Sequence, residues 1–340
     1  MPEEVRDDPT ISGADELPPD DRPKAGKLEE GTALCLSGGG YRAMLFHLGS
    51  LWALNDHRWL QKIDRISSVS GGSITAAHLG LNWTALAFEN GRAANFEEAV
   101  VKPIRRLAGK TLDVRAVLNG LFQRGTISDK LIAAYDKEIF GKKPLQDLPD
   151  RPRFVINATS VQSTALFRFS KPYAWDYRVG QIANPTIRVS AAVAASSAFP
   201  PVLSPVHLDL TPFTFVPNSG KDLQQPPFTE TAVLTDGGVY DNLGLETAWK
   251  RYTRILVSDA GAKTAADRKP AANPVQHSLR VNALIDNQVR SLRKRQLISS
   301  FEAKKRTGAY WGVRSDIAKY AVPGALPAPF AKTIILAGTP

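Results

Sequence analysis

The chain has almost no cysteine and no long apolar run. Its 340 residues contain one cysteine, Cys35, so no intramolecular disulfide can form. Cys35 lies in an apolar run, residues 33–36, and we expect a buried thiol. The longest weakly polar stretch, residues 189–206, is interrupted by serines and prolines, so it predicts no membrane span. A cluster of residues with metal-ligand spacing is also lacking, and we expect neither a metal nor another cofactor.

The N-terminal residues lack the marks of a secretory signal. The stretch MPEEVRDDPT has neither a basic region nor an apolar region after it. Together with the scarcity of cysteine, this composition favours a cytoplasmic location.

The charge is positive overall and unevenly spread. The net charge is +10, yet residues 1–30 hold ten acids and four bases, which leaves a charge of +16 on the remainder. Residues 1–30 are also rich in proline and lack aromatic residues, so we predict a disordered acidic tail before one catalytic domain, residues 31–340. A basic body is attracted to anionic lipid headgroups or to nucleic acid. No nucleic-acid recognition motif is present, so nucleic acid is not an expected partner.

Apolar periodicity predicts strands that alternate with helices. Two strand–turn–helix units come first, and a hairpin and further strands follow. Residues 95–140 are predicted to be mainly helical, and residues 208–230 to form a loop. Because strands and helices alternate, we expect an α/β fold with a mostly parallel sheet. The predicted strands are Thr32–Ser37, Ile63–Val69, Arg153–Gln162, Ala165–Ser170, Thr231–Thr235, Arg254–Ser258 and Lys332–Ala337. The other predicted helices are Tyr41–Asn55, Ser73–Phe88, Ile187–Ala198, Asn242–Arg251 and Leu279–Lys305.

The last helix has a mixed pattern of apolar and basic residues. Helical spacing puts Val281, Leu284, Ile285, Leu292 and Phe301 on one face. A separate basic cluster on the same helix, which can favour anionic membranes or simply be solvated, consists of Arg290, Arg293, Lys294 and Arg295.

Three glycines connect the first strand to the first helix. Gly38, Gly39 and Gly40 let the backbone approach a ligand and leave amide groups free at the helix N-terminus. Such donors can hold an oxyanion or a phosphate. Taken alone, the run also fits a plain tight turn.

A serine follows the second strand in a similar turn. The run Ser68-Val69-Ser70-Gly71-Gly72 has the form of a nucleophile elbow, G-x-S-x-G, with Ser68 in place of the first glycine. This turn exposes the Ser70 hydroxyl at a helix N-terminus, whose dipole favours negative charge. Taken alone, such a run is more often a turn or a helix cap.

An aspartate ends a later strand. Asp236 follows the apolar residues 231–235 and precedes Gly237 and Gly238. A carboxylate in this position can point into a crevice above the sheet, although a simple turn that ends a strand has the same sequence.

In combination these motifs resemble the patatin-like phospholipases, which have a glycine-rich loop followed by arginine, then G-x-S-x-G, then D-G-G or D-G-A. The resemblance covers roughly residues 31–260, including the run Ala194 to Val202. The stretch Ser37 to Met44 is similar to the related cytosolic phospholipase A2 group.

The resemblance implies a three-layer α/β/α fold and a serine acyl hydrolase, a carboxylic ester hydrolase that cleaves membrane phospholipids. Ser70 is then the nucleophile and Asp236 its base. Gly38, Gly39 and Gly40 form the oxyanion hole, and the supporting residues are Arg42, Gly72, Gly237 and Gly238. The implied partner is a phospholipid membrane, bound peripherally at its inner surface, with a regulatory ligand or oligomer as a further possibility.

Other interpretations stay open at this point. A Ser-His-Asp triad needs a histidine, and His277 is the only one after Asp236. The enzyme can instead be a general lipase or esterase that acts on neutral lipids. A non-catalytic module that binds phosphate or lipid through Gly38–Gly40 is the third alternative, although no G-K-[ST] follows those glycines.

Overall fold

The computed structural model describes residues 18, 21, 28–110, 126–201, 203–261, 265–271 and 273–314. These residues form a mixed α/β fold with helices on both faces of one large sheet. Their strands are β1 Glu29–Leu36, β2 Arg65–Val69, β3 Phe88–Glu89, β4 Arg92–Ala93, β5 Arg153–Ser160, β6 Leu166–Phe169, β7 Tyr173–Asp176, β8 Gly180–Ala183, β9 Val206–Asp209, β10 Thr231–Asp236, β11 Tyr252–Asp259 and β12 Thr307–Gly312. Their α-helices are α1 Gly40–Asp56, α2 Gly71–Asn82, α3 Lys102–Gly109, α4 Ile127–Tyr135, α5 Val189–Ser196, α6 Gly238–Asp241, α7 Glu246–Trp249 and α8 Pro274–Glu302.

The main sheet has the order β12-β11-β1-β2-β5-β6-β7-β8. Neighbours from β12 to β5 are parallel, and neighbours from β5 to β8 are antiparallel. The predicted α/β fold is therefore confirmed, and the parallel strands β1 and β2 carry the first two glycine turns. The predicted hairpin is β5–β6, whereas the short strands β7, β8 and β9 were not predicted.

Strand β10 approaches the end of β2 head-on. Strands β2 and β10 both pair with β5, on the side of β5 opposite to β6. Strand β2 runs parallel to β5 and ends with Val69 opposite Asn157, while β10 runs antiparallel and ends with Asp236 opposite Ala158. Because these two register positions are adjacent, the carboxyl ends of β2 and β10 meet.

The two faces of β1 pack against different cores. Side chains alternate along a strand, so Leu34 and Leu36 join the larger cluster with α1 and α2, while Ala33 and Cys35 join the smaller cluster with α7 and α8. The Cys35 thiol is fully buried, as predicted. This alternation produces three layers, with helices α1 and α2 on one face of the sheet and helices α7 and α8 on the other.

The apolar face predicted for the long helix α8 points mostly to solvent and not to the core. Only Phe301 of the predicted apolar face packs against a core. The other four residues of that face are exposed, because the charged side of the helix faces the protein; they are Val281, Leu284, Ile285 and Leu292. The basic cluster is divided for the same reason, since Arg290 lies beside Asp259 and Arg293 beside Glu246.

Most of the predicted tail, residues 1–30, lies outside the described residues, as does the predicted strand Lys332–Ala337. Asp21, within that tail, is instead buried and forms an ion pair with Arg65 at 2.6 Å and with Arg251 at 2.7 Å. Although burial raises its pKa, these two arginines and the Tyr173 hydroxyl bring the pKa of Asp21 down to about 2. The first strand of the described residues, β1, begins at Glu29. None of the described helices is long and apolar enough to cross a membrane.

Candidate active site

Ser70 occupies the sharp turn between β2 and α2. Its backbone has φ 52° and ψ −123°, a conformation that a residue with a side chain rarely adopts. Such strain costs about 1–3 kcal/mol and persists only where neighbouring contacts hold the turn. The Ser70 amide donates to the Ser196 hydroxyl at 2.9 Å, and that hydroxyl donates to the Asn157 carbonyl at 2.6 Å. The turn places Ser70 at the N-terminus of α2, as the sequence predicted, but the residue is buried and not exposed.

The Ser70 hydroxyl lies close enough to the Asp236 carboxylate to lower its pKa. This proximity follows from the head-on meeting of β2 and β10, because Asp236 is the last residue of β10 and Ser70 directly follows β2. Burial raises the pKa of Asp236 to about 6, against the opposing effect of hydrogen bonds from Gly238 and Ser70. The negative charge of Asp286 raises this pKa further. A carboxylate with a pKa near neutrality can take up and return a proton at physiological pH.

The three glycines of the first turn do not contribute equally. The Gly38 amide donates to Asn242, to the carbonyl at 3.0 Å and to Oδ1 at 3.1 Å, so it is not available to a ligand. Gly39 and Gly40 are exposed, with φ of 144° and 65°, and nothing in the described part of the chain accepts from their amides. The predicted oxyanion loop is therefore corrected: Gly38 holds the loop in position, and Gly39 and Gly40 carry the free donors.

Close backbone contacts explain the other glycines of the site. A Cβ on Gly71 would lie 2.0 Å from the Gly40 carbonyl oxygen, and one on Gly72 would lie 2.6 Å from the Leu36 carbonyl oxygen. A Cβ on Gly237 would lie 2.3 Å from the Asn157 carbonyl oxygen. These glycines let α2, the first glycine turn and the end of β10 pack directly on one another.

The remaining supporting residues also hold the backbone. The Gly238 amide donates to Asp236 Oδ1 at 2.7 Å and so fixes the orientation of the carboxylate. Arg42 Nη2 donates to the Ala260 carbonyl at 3.1 Å, which braces the glycine turn against the end of β11. Ser68, at the position of the expected elbow glycine, is fully buried and donates to the Val155 carbonyl at 3.3 Å.

Sequence reasoning missed Asn242 and Asp286. Asn242 anchors Gly38 and also donates from Nδ2 to Asp286 Oδ2 at 3.5 Å. Asp286 lies on α8, 50 residues after Asp236 along the chain, and no local motif marks it. The consecutive glycines 71 and 72 gave a usable signal for close packing, because glycine is unfavourable inside a helix.

No histidine is hydrogen-bonded to Ser70 or Asp236 in the described part of the chain, which includes all five histidines. His47 and His78 bond to Ser258 and to the Ala99 carbonyl respectively, and His277 is exposed near the start of α8. The described residues therefore form no Ser-His-Asp triad. They also contain no group of three or more His, Cys, Asp or Glu that could hold a metal ion.

His47 belongs to a buried hydrogen-bond chain that supports the glycine turn. Its Nε2 lies 2.9 Å from the Ser37 carbonyl and its Nδ1 lies 2.9 Å from the Ser258 hydroxyl. Because a carbonyl only accepts, Nε2 carries the proton and Nδ1 accepts from Ser258. Burial lowers the pKa of His47 to about 4, which keeps the ring neutral. His47 therefore fixes Ser37, the residue just before the turn.

That chain continues to an open cavity at the sheet edge. Ser258 lies 3.0 Å from the Ser50 hydroxyl, which accepts from Trp311 Nε1 at 2.9 Å. Trp311 lines a cavity of about 730 Å³ between α1 and strands β11 and β12. Neither Ser70 nor Asp236 lines this cavity.

Comparison with known proteins agrees with these motifs. A family model described as "Patatin-like phospholipase" matches residues 34–249. No curated protein sequence matches the chain. Among solved structures, human GIVD cytosolic phospholipase A2 is similar with a TM-score of 0.45 and 15% identity over 74% of this chain and 48% of that chain. VipD from Legionella pneumophila is similar with a TM-score of 0.35 and 14% identity over 92% of this chain and 67% of that chain.

The chain thus spans about half the length of the human enzyme. The family match covers more than half of the chain and includes the glycine turn, the Ser70 elbow and the Asp236 turn. The chain belongs to the patatin-like phospholipase family.

Proposed function

We propose that the protein is a serine acyl hydrolase that cleaves fatty-acyl esters of membrane phospholipids through a Ser70–Asp236 dyad. The observation that carries this proposal is the meeting of Ser70 and Asp236 at the ends of β2 and β10, next to the free amides of Gly39 and Gly40. Family membership supports the lipid acyl hydrolase class. The dyad, the oxyanion site and the phospholipid substrate are proposals.

In the first half of the reaction, Ser70 attacks the ester carbonyl while Asp236 accepts the hydroxyl proton. The resulting tetrahedral oxyanion receives hydrogen bonds from the Gly39 and Gly40 amides, and the N-terminus of α2 adds a favourable dipole. Collapse of this intermediate breaks the ester C–O bond. The departing lysophospholipid alkoxide takes the proton from Asp236, and the acyl group remains on Ser70.

In the second half, water attacks the acyl-serine ester and Asp236 accepts the proton from that water. A second oxyanion forms at the same amides and collapses to release the fatty acid. The leaving Ser70 oxygen recovers the proton from Asp236, so the enzyme returns to its starting state. Over the whole cycle the Asp236 carboxylate accepts a proton twice and donates a proton twice. Its pKa of about 6 suits it to act as both base and acid.

A side-by-side assay tests the substrate class. The purified protein is given a diacyl phospholipid in mixed micelles, and separately a triacylglycerol, and released fatty acid is measured. We expect release from the phospholipid to be at least about tenfold faster. Preference for the triacylglycerol would favour a neutral-lipid lipase, and absence of fatty-acid release from both, with no fluorophosphonate labelling, would favour a non-catalytic binding module.

Activity should depend on the ionisation of Asp236. Because the base must be charged, we expect kcat/KM for a soluble ester to be constant above about pH 7 and to fall about tenfold per pH unit below about pH 6. Replacing Asp286 with asparagine removes a negative charge that raises the pKa of Asp236, so the midpoint should move to lower pH. A pH–rate profile of each protein measures both effects.

The control is Asp150→Asn, since the Asp150 side chain is 86% exposed and unconnected with the dyad. Its profile should overlay that of the wild type. A wild-type profile that is flat across this range, or an upward shift in Asp286→Asn, would contradict the assignment of Asp236 as the base.

A further inference from the structure

Helix α8 turns its charged side chains toward the protein. Arg293 Nη1 lies 2.7 Å from Glu246 Oε2, and Arg290 Nη1 lies 3.9 Å from Asp259 Oδ1. Both carboxylates are buried. These ion pairs fix the rotation of the helix about its axis, so the opposite side of α8 must face away from the protein.

The opposite side is apolar and exposed. Leu284, Ile285 and Leu292 are 47%, 55% and 57% exposed, and Val281 on the same side is 38% exposed. With 3.6 residues per turn these four side chains align, and the exposed Gln288 lies among them. We call Val281, Leu284, Ile285 and Leu292 the α8 outer face. A surface helix in a globular protein normally has the reverse arrangement.

The α8 outer face lies beside the candidate active site. Asp286 follows Ile285 directly and accepts from Asn242, the residue that anchors Gly38. Its charge also acts on Asp236. Helix α6, which follows Asp236, packs on α8 and exposes Val239. An exposed apolar side chain thus lies on the short helix that directly follows Asp236 and packs on α8.

We propose that the α8 outer face docks the protein on an anionic phospholipid bilayer. This inference rests on the proposed phospholipid substrate and names the surface that meets it. An amphipathic helix that lies in the plane of a bilayer buries its apolar side at the boundary between headgroups and acyl chains. Docking by α8 would hold the dyad next to the headgroup region, where the ester bonds lie.

Charge favours a bilayer over a second copy of this chain. Helix α8 contains five bases and two acids, and the exposed Arg295 lies beside the outer face, while Lys294 packs over the Tyr310 ring. Anionic headgroups complement Arg295 and the net positive charge of the helix. In a two-fold symmetric dimer formed through α8, the same patch would meet itself, so the basic residues of the two copies would repel each other.

The test compares wild type with the triple variant Leu284→Asn, Ile285→Asn, Leu292→Asn. Binding is measured by co-sedimentation with vesicles made of equal parts phosphatidylglycerol and phosphatidylcholine. We expect roughly tenfold or greater loss of vesicle binding, because three apolar side chains no longer enter the bilayer. Hydrolysis of a soluble short-chain nitrophenyl ester should remain within about twofold of wild type, since none of the three residues contacts the dyad.

Two further variants sharpen the result. Gln288→Leu fills the polar position in the outer face and should strengthen vesicle binding. Val161→Asn alters a comparably exposed apolar residue on the turn after β5 and should leave binding unchanged.

Several outcomes would overturn the docking surface. The first is that the wild-type protein does not bind these vesicles, and the second is that the triple variant binds them as strongly as wild type. The third is that the wild-type protein is a dimer, and that the triple variant is a monomer which still binds the vesicles. Failure of the proposed function is separate: it would show as no fatty-acid release from phospholipid in detergent micelles, where docking is not required.

Discussion

Replacing Ser70 with alanine is expected to remove ester hydrolysis, with kcat lowered by roughly 10⁴-fold or more. Alanine has no hydroxyl to attack the carbonyl, and the neighbouring residues offer no substitute in the same position at the N-terminus of α2. The variant should also lose covalent labelling by a fluorophosphonate probe, which reacts with activated serines. Loss of both signals would identify Ser70 as the nucleophile.

The fold should survive this substitution. The strained turn is held by the Ser70 backbone amide, which donates to Ser196, and alanine keeps that amide. Circular dichroism and the thermal midpoint should therefore match wild type closely. The control Ser278→Ala changes an exposed serine near the start of α8 and should keep full activity and labelling. If Ser70→Ala retained probe labelling, another nucleophile would be responsible.

The first two strand–turn–helix units could be predicted because their signals are local. Apolar spacing marks β1, α1, β2 and α2, and glycines mark the turns between them. The elbow at Ser70 and the aspartate at the end of β10 were found in the same way. Each of these features depends on residues within a few positions of one another in the chain.

The direction of β10 and the roles of Asn242 and Asp286 could not be predicted. Strand β10 pairs antiparallel with β5, across about 75 residues of sequence, and such a register is fixed by tertiary packing. Gly38 could not be separated from Gly39 and Gly40, because its amide is occupied by an asparagine 204 residues away. The direction of β10 and the roles of Asn242, Asp286 and Gly38 all come from contacts between distant segments.

Helix α8 shows a different limit of sequence reasoning. Its apolar positions were recognised, but periodicity shows only that one side is apolar and does not say which side faces the protein. The side of α8 that faces the protein is set by the ion pairs of Arg290 and Arg293 with buried carboxylates on other elements. The partners of these arginines are separated from them by 31 and 47 residues.

Replacing Asp236 with asparagine should separate activity from stability. An amide cannot accept the Ser70 proton, so we expect kcat to fall by roughly 10³- to 10⁴-fold. Asparagine has nearly the same shape, and its Oδ1 can still accept from the Gly238 amide. The site should therefore keep its geometry while losing its base. Full activity in this variant would exclude Asp236 as the base.

The same substitution should stabilise the protein, and the gain should depend on pH. Burial raises the pKa of Asp236 from 3.8 to about 6, so the charged carboxylate destabilises the folded state by about 2–3 kcal/mol above pH 6. This destabilisation develops as pH rises from about 4 to 6 and is absent below pH 4, where the folded and unfolded chains both hold the proton. We therefore expect Asp236→Asn to unfold several degrees higher than wild type at pH 8, with the difference closing toward pH 4. If wild type and Asp236→Asn had equal melting temperatures at pH 8, the charged carboxylate would not destabilise the folded state. Burial would then not be the cause of the raised pKa of Asp236.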